Sequence, residues 1–83
     1  MPRILTIEDD AVTAREITTE LGSHGFEVDW VDNGRDGLVK AVATPYDAIT
    51  LDRMLPGLDG LAIVTTMRQL GVDTPVLMIS TLS

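Results

Sequence analysis

The 83-residue sequence has no cysteine, which excludes a disulfide framework and a thiolate metal site. It has only three aromatic residues. Positive charge is scarce as well: six Lys and Arg stand against thirteen Asp and Glu, a net charge of −7. Such a chain does not bind phosphate backbones by counterion release, so direct nucleic-acid contact is not expected. The charge suits cations or a basic partner surface instead. No apolar run approaches the ~20 residues of a membrane span. Met1-Pro2-Arg3 leads straight into a short strand pattern, unlike a secretory signal. These absences point to a cytoplasmic protein. Repeats, low-complexity tracts and linker-like stretches are also missing. The length suits one domain, which buries only about 60–65% of the surface of its unfolded chain.

What remains is a regular alternation of strand and helix patterns. Ile4-Leu5-Thr6-Ile7 is short and apolar, as in a buried strand, and it stops at Glu8-Asp9-Asp10. Asp9 or Asp10 is placed to cap a helix over 11–21 ended by Gly22, with Ala14, Ile17 and Leu21 on its inner face. Residues 26–31 alternate apolar and acidic, as in a half-exposed strand near a sheet edge, which assigns Phe26 and Trp30 to the core. A helix over 35–43 turns Leu38, Ala41 and Val42 inward, and Gly37 weakens it relative to Ala. A third strand covers 46–51. Asp59 caps a helix over 60–70 with Leu61, Val64 and Met67 inward, and Val76-Leu77-Met78-Ile79 forms a fourth strand. His24 reads as a solvated turn residue. Short connections and nearly continuous apolar strands predict an α/β fold, a parallel sheet with helices on both faces.

Chemistry gathers where these strands end. The first ends in Glu8-Asp9, the third in Asp52 and the fourth in Ser80. In a parallel sheet all these ends share one edge, the edge at which open α/β sheets place ligands. Three carboxylates in a small space raise one another's pKa values. A hard divalent cation relieves the repulsion, and Mg²⁺ prefers such oxygen ligands. A carboxylate beside a metal is also a nucleophile for phosphoryl transfer, and the Ser80 hydroxyl can hydrogen-bond a transferred oxygen. The plainer alternatives are a strand-end cap at Asp52 and an acid cluster at Glu8-Asp9-Asp10 favoured by a helix dipole.

Four segments taken together resemble the receiver domain of bacterial two-component response regulators. They are residues 4–10, Asn33-Gly34, residues 46–60 and residues 74–80. The run Leu55-Pro56-Gly57-Leu58-Asp59-Gly60 looks most like the OmpR/PhoB branch, which carries a winged-helix DNA-binding output domain. The resemblance implies a flavodoxin-like (CheY-like) sheet of strand order 2-1-3-4. It implies that Asp52 is the phosphoacceptor for a sensor histidine kinase. Glu8, Asp9, Asp52 and the backbone carbonyl of Met54 would hold Mg²⁺, and Ser80 would be the switch hydroxyl. Such a domain signals and is not a turnover enzyme on an external substrate.

The resemblance also sets a limit. The family's fourth helix, fifth strand and fifth helix lie beyond the 83 residues, so the chain reads as a single N-terminal receiver fragment, 1–83, without its output domain. The Lys carried by the fifth strand has no counterpart here, since Lys40 sits in the second helix pattern. Val76–Ile79 would then be an apolar sheet edge, and self-association or a domain-swapped homodimer is expected. Two other readings compete. A phosphatase of the haloacid dehalogenase type needs a second Asp two residues after the first, and Met54 stands there. A receiver-like interaction or dimerisation fragment without phosphotransfer competence would share the fold but take no label from a phosphodonor.

Overall fold

Four β-strands and three helices alternate strictly along the chain: β1 (Arg3–Ile7), α1 (Ala11–Ser23), β2 (Glu27–Val31), α2 (Gly34–Ala43), β3 (Ala48–Asp52), α3 (Gly60–Gln69) and β4 (Val76–Ile79). They come from a computed structural model that describes residues 1–53, 55 and 59–79. All strand pairs are parallel and the order is β2-β1-β3-β4, as expected from the sequence.

Each helix starts on a side chain that answers its free N–H groups. Asp10 accepts from the Thr13 N–H at 3.1 Å and the Thr13 hydroxyl at 2.5 Å. Those bonds hold its carboxyl below the usual carboxylate range. Asn33 accepts from the Asp36 N–H at 2.8 Å, and Asp59 from the Leu61 N–H at 3.1 Å. α1 runs past Gly22, which had been expected to stop it. The His24 N–H still bonds back to the Leu21 carbonyl, and the chain reverses at Gly25, whose φ is +87°. The His24 ring lies 3.2 Å from the Glu20 carboxylate.

The core lies mainly on one face of the sheet. Leu5, Ile7, Ile49 and Leu51 project there and meet Ala41, Ile63 and Met67 from α2 and α3. Two helix assignments need correction. Val42 and Leu61 are 55% and 51% exposed, so neither faces inward. α3 instead buries Ile63 and Met67, four residues apart on one stripe, and Leu61 falls on the far side of that stripe. The third strand begins at Ala48, not at Tyr46. Tyr46 turns away to donate its hydroxyl to Asp29 at 2.7 Å, and burial with that carboxylate pushes its pKa up to about 12.

The opposite face carries Ile4, Thr6 and Thr50, with Thr50 donating to Thr6 at 3.0 Å beneath α1. Beside them Ile17, Leu21, Leu77 and Ile79 line an apolar groove of about 330 Å³ rimmed by Glu16 and Glu20.

Gly37 is not a simple weakness of α2. A Cβ built on it would lie 2.5 Å from Ile7 Cδ1 and 2.9 Å from Ile7 Cγ1. The missing side chain lets α2 close onto β1. Gly37→Ala is therefore expected to destabilise the fold by about 1–3 kcal/mol through overpacking, outweighing the gain of up to ~1 kcal/mol in helix propensity. Urea unfolding of the two forms checks the sign.

Candidate functional site

The register of the sheet builds the site. Ile7 pairs with Leu51, so one step further along brings Glu8 beside Asp52. Alternation along each strand puts Glu8 on the side of Ile4 and Thr6, and Asp52 on the side of Thr50. Both acids are buried, at 2% and 5% exposure. Asp9 follows on the loop, where strand alternation no longer applies, and it stays exposed. One carboxylate oxygen from each of Glu8, Asp9 and Asp52 lies within 4.8 Å of the others. The sequence-level convergence of these three residues is therefore found in space.

The surrounding backbone holds them. The Glu8 N–H donates to the Val31 carbonyl at 3.1 Å, and the Trp30 indole N–H donates to the Glu8 carbonyl at 2.8 Å. The Asp10 N–H donates to Glu8 Oε2 at 3.1 Å. On the other strand the Arg53 N–H donates to the Ile79 carbonyl at 3.0 Å, and the Gly60 N–H to the Arg53 carbonyl at 3.1 Å. A Cβ at Gly60 would sit 3.1 Å from the Arg53 Cα, so glycine permits this close approach of α3 to the Asp52 strand end.

Burial pushes the Glu8 carboxyl up to about 7. The Asp10 N–H opposes that rise, while hydrogen bonding and charge from Asp52 and a hydrogen bond from Asp9 add to it. A carboxyl in this state is about half protonated near neutral pH because burial penalises its charge, and a strong counter-charge would draw it into the ionised form. A hard divalent cation is such a counter-charge, so the donor set of three carboxylates fits one.

Met54 and Ser80 lie outside the described residues. Lys40 lies in the last turn of α2, exposed. Sequence reasoning missed two supporting residues, Gly60 and Trp30. Trp30 had been assigned to the core, yet it is 44% exposed and its N–H serves the Glu8 carbonyl. Alternation with Glu27 and Asp29 set it on the apolar side, so the available signal was the indole N–H, a donor that needs a partner. Phe26, also assigned to the core, is half-buried just before β2.

Comparison with known proteins decides what kind of domain this is. The response regulator receiver domain model matches residues 4–83. The chain belongs to the response-regulator receiver domains. It is 45% identical over 78 residues to the transcriptional regulatory protein QseB of Escherichia coli O157:H7, covering 94% of this chain and 36% of that one. The chain thus spans about a third of the length of this curated relative. Its relatives are regulators of the OmpR/PhoB type expected from residues 55–60. Among solved structures, it resembles the response regulator TrrA of Thermotoga maritima in complex with Mg²⁺-BeF, with a TM-score of 0.92 and 30% identity over 100% of this chain and 72% of that one. A complex of histidine kinase ThkA with TrrA matches with a TM-score of 0.90, 30% identity and the same coverage. This receiver domain has no helix, among the described residues, that is long and apolar enough to cross a membrane.

Proposed function

We propose that Asp52 accepts a phosphoryl group from a sensor histidine kinase and that Glu8, Asp9 and Asp52 hold Mg²⁺. The observation that carries this reading is the meeting of one exposed and two buried carboxylates at the C-terminal edge of a receiver sheet. An Asp52 carboxylate oxygen attacks the phosphorus of phosphohistidine. A P–O bond forms, the P–N bond breaks, and the imidazole leaves with the bonding pair. Mg²⁺, when bound, neutralises charge on the phosphoryl oxygens. Glu8, fixed by Val31, Trp30 and Asp10, keeps its carboxylate aimed at the cation site. Family membership would add the Met54 carbonyl to the cation's ligands and bring the Ser80 hydroxyl to the phosphoryl group. The complexes of TrrA with Mg²⁺-BeF and with the histidine kinase ThkA support this reading by analogy. In the whole protein, in the cytoplasm, the switch controls an output domain that binds DNA, in line with QseB's name as a transcriptional regulatory protein. The domain is a switch and turns over no external substrate.

Intact mass after incubation of the full-length protein with acetyl phosphate tests the reading. A single phosphoryl adduct that forms with Mg²⁺ and not with EDTA is expected. Absence of any adduct would leave the interaction-domain alternative.

β4 carries a second expectation. Among the described residues it pairs with β3 alone, and Val76–Ile79 has no charge or proline to discourage further pairing. Leu77 is 65% exposed beside the apolar groove. Residues 1–83 expressed alone are expected to self-associate through this edge, and a monomer mass in light scattering would refute it.

A further inference from the structure

We propose that Trp30 is a positioning residue for the acidic site: its indole N–H fixes the peptide joining Glu8 to Asp9, and so sets the two carboxylates relative to Asp52. This inference rests on the divalent-cation reading above. The β1–β2 ladder has its last pair at Ile7 and Val31. One more backbone bond follows, from the Glu8 N–H to the Val31 carbonyl at 3.1 Å. Beyond that point the Trp30 side chain takes over, and its Nε1 lies 2.8 Å from the Glu8 carbonyl oxygen.

The Glu8 carbonyl and the Asp9 N–H belong to one planar peptide unit. Fixing the direction of that carbonyl therefore fixes where the Asp9 Cα departs. Three groups of Glu8 are now occupied: the N–H by Val31, the carbonyl by Trp30, and Oε2 by the Asp10 N–H. Its carboxyl also hydrogen-bonds Asp52 and Asp9, within the cluster itself. Trp30 recovers only part of its hydrophobic gain there, because 44% of it stays in solvent. Leu or Phe would cover the same loop without offering a donor. The donor is what distinguishes tryptophan at this position. Mg²⁺ demands near-ideal octahedral geometry, so a small rotation of the Glu8–Asp9 peptide weakens binding, although Trp30 never touches the ion.

The test separates the N–H from the ring. In the full-length protein, residue 30 is replaced by L-3-benzothienylalanine, in which sulfur stands in place of the indole N–H, and by 7-azatryptophan, which keeps an N–H. Calorimetry gives the Mg²⁺ dissociation constant, and a thermal melt without Mg²⁺ reports the fold. The sulfur analogue is expected to bind Mg²⁺ about ten-fold more weakly, the scale found when partners of metal ligands are removed. The aza analogue is expected to restore wild-type affinity, with similar melting temperatures for both. Wild-type affinity in the sulfur analogue would overturn the positioning role while leaving the cation site standing. A wild-type protein that binds no Mg²⁺ would overturn the cation site and this inference together.

Discussion

Asp52→Asn is expected to abolish the phosphoryl adduct completely while leaving the domain folded. Asparagine matches aspartate in shape, so the strand end that pairs with β4 through the Arg53 N–H is undisturbed. The amide lacks the anionic oxygen that attacks phosphorus. The same change removes one of three crowded carboxylates. It also removes the Asp52 charge that helps to hold Glu8 protonated. Without Mg²⁺ the variant should therefore melt higher than the parent. Relief of about 1 kcal/mol of repulsion corresponds to roughly 4–8 °C in a domain this small. With Mg²⁺ the order should reverse, because the parent gains a ligand that the variant binds more weakly. Intact mass and two thermal melts, with and without Mg²⁺, measure all three effects. An adduct on the variant would place the phosphoacceptor elsewhere, and a lower melting temperature without Mg²⁺ would show that the acids do not strain the fold.

Sequence pattern carried the architecture because short, continuous apolar runs bounded by polar or turn residues are a strong strand signal. Ile4–Ile7 and Val76–Ile79 read as strands directly, and short polar side chains ahead of apolar periodicity marked Asp59, and Asp9 or Asp10, as caps, of which Asp10 takes the first. The site was legible for the same reason. A lone acid ending an apolar strand is ambiguous by itself, but parallel topology brings Glu8, Asp9 and Asp52 to one edge. What failed was the choice of helix face. Leu61 and Val42 are apolar at acceptable spacing, but the pattern of a ten-residue helix leaves its rotation poorly determined; packing took Ile63 in place of Leu61, and beside Ala41, which is buried as expected, it left Val42 outside. Gly37 was misread because helix propensity knows nothing of the Ile7 side chain above it. Trp30 was misread because hydrophobicity ranks its ring and ignores its N–H. In each case the deciding partner lies far away in sequence.

Mg²⁺ binding should be strongly pH-dependent through Glu8. Its pKa is about 7 in the folded protein against an ordinary value of 4.5, chiefly because burial penalises the charge. The folded-state value is the higher one. The stability that this carboxyl contributes is therefore fully present below about pH 4.5 and is lost as pH rises through about 7. Above that point the domain without metal must carry an ionised, buried Glu8 beside Asp52. A divalent cation needs the same ionised form, so proton and metal compete for one group. With a single competing proton, Mg²⁺ affinity should fall about 30-fold between pH 8 and pH 5.5, which is the loss of the ionised fraction for a pKa of 7. The melting temperature without metal should fall over the same interval as pH rises, while saturating Mg²⁺ flattens the profile. Glu8→Gln separates the effects: it removes the proton competition and weakens the site at every pH, leaving a shallow dependence. The measurement is a series of Mg²⁺ titrations by calorimetry from pH 5.5 to 8 on both forms. A flat wild-type series would mean that Glu8 is not a metal ligand. A steep one that survives in Glu8→Gln would move the titrating group to another carboxylate of the cluster.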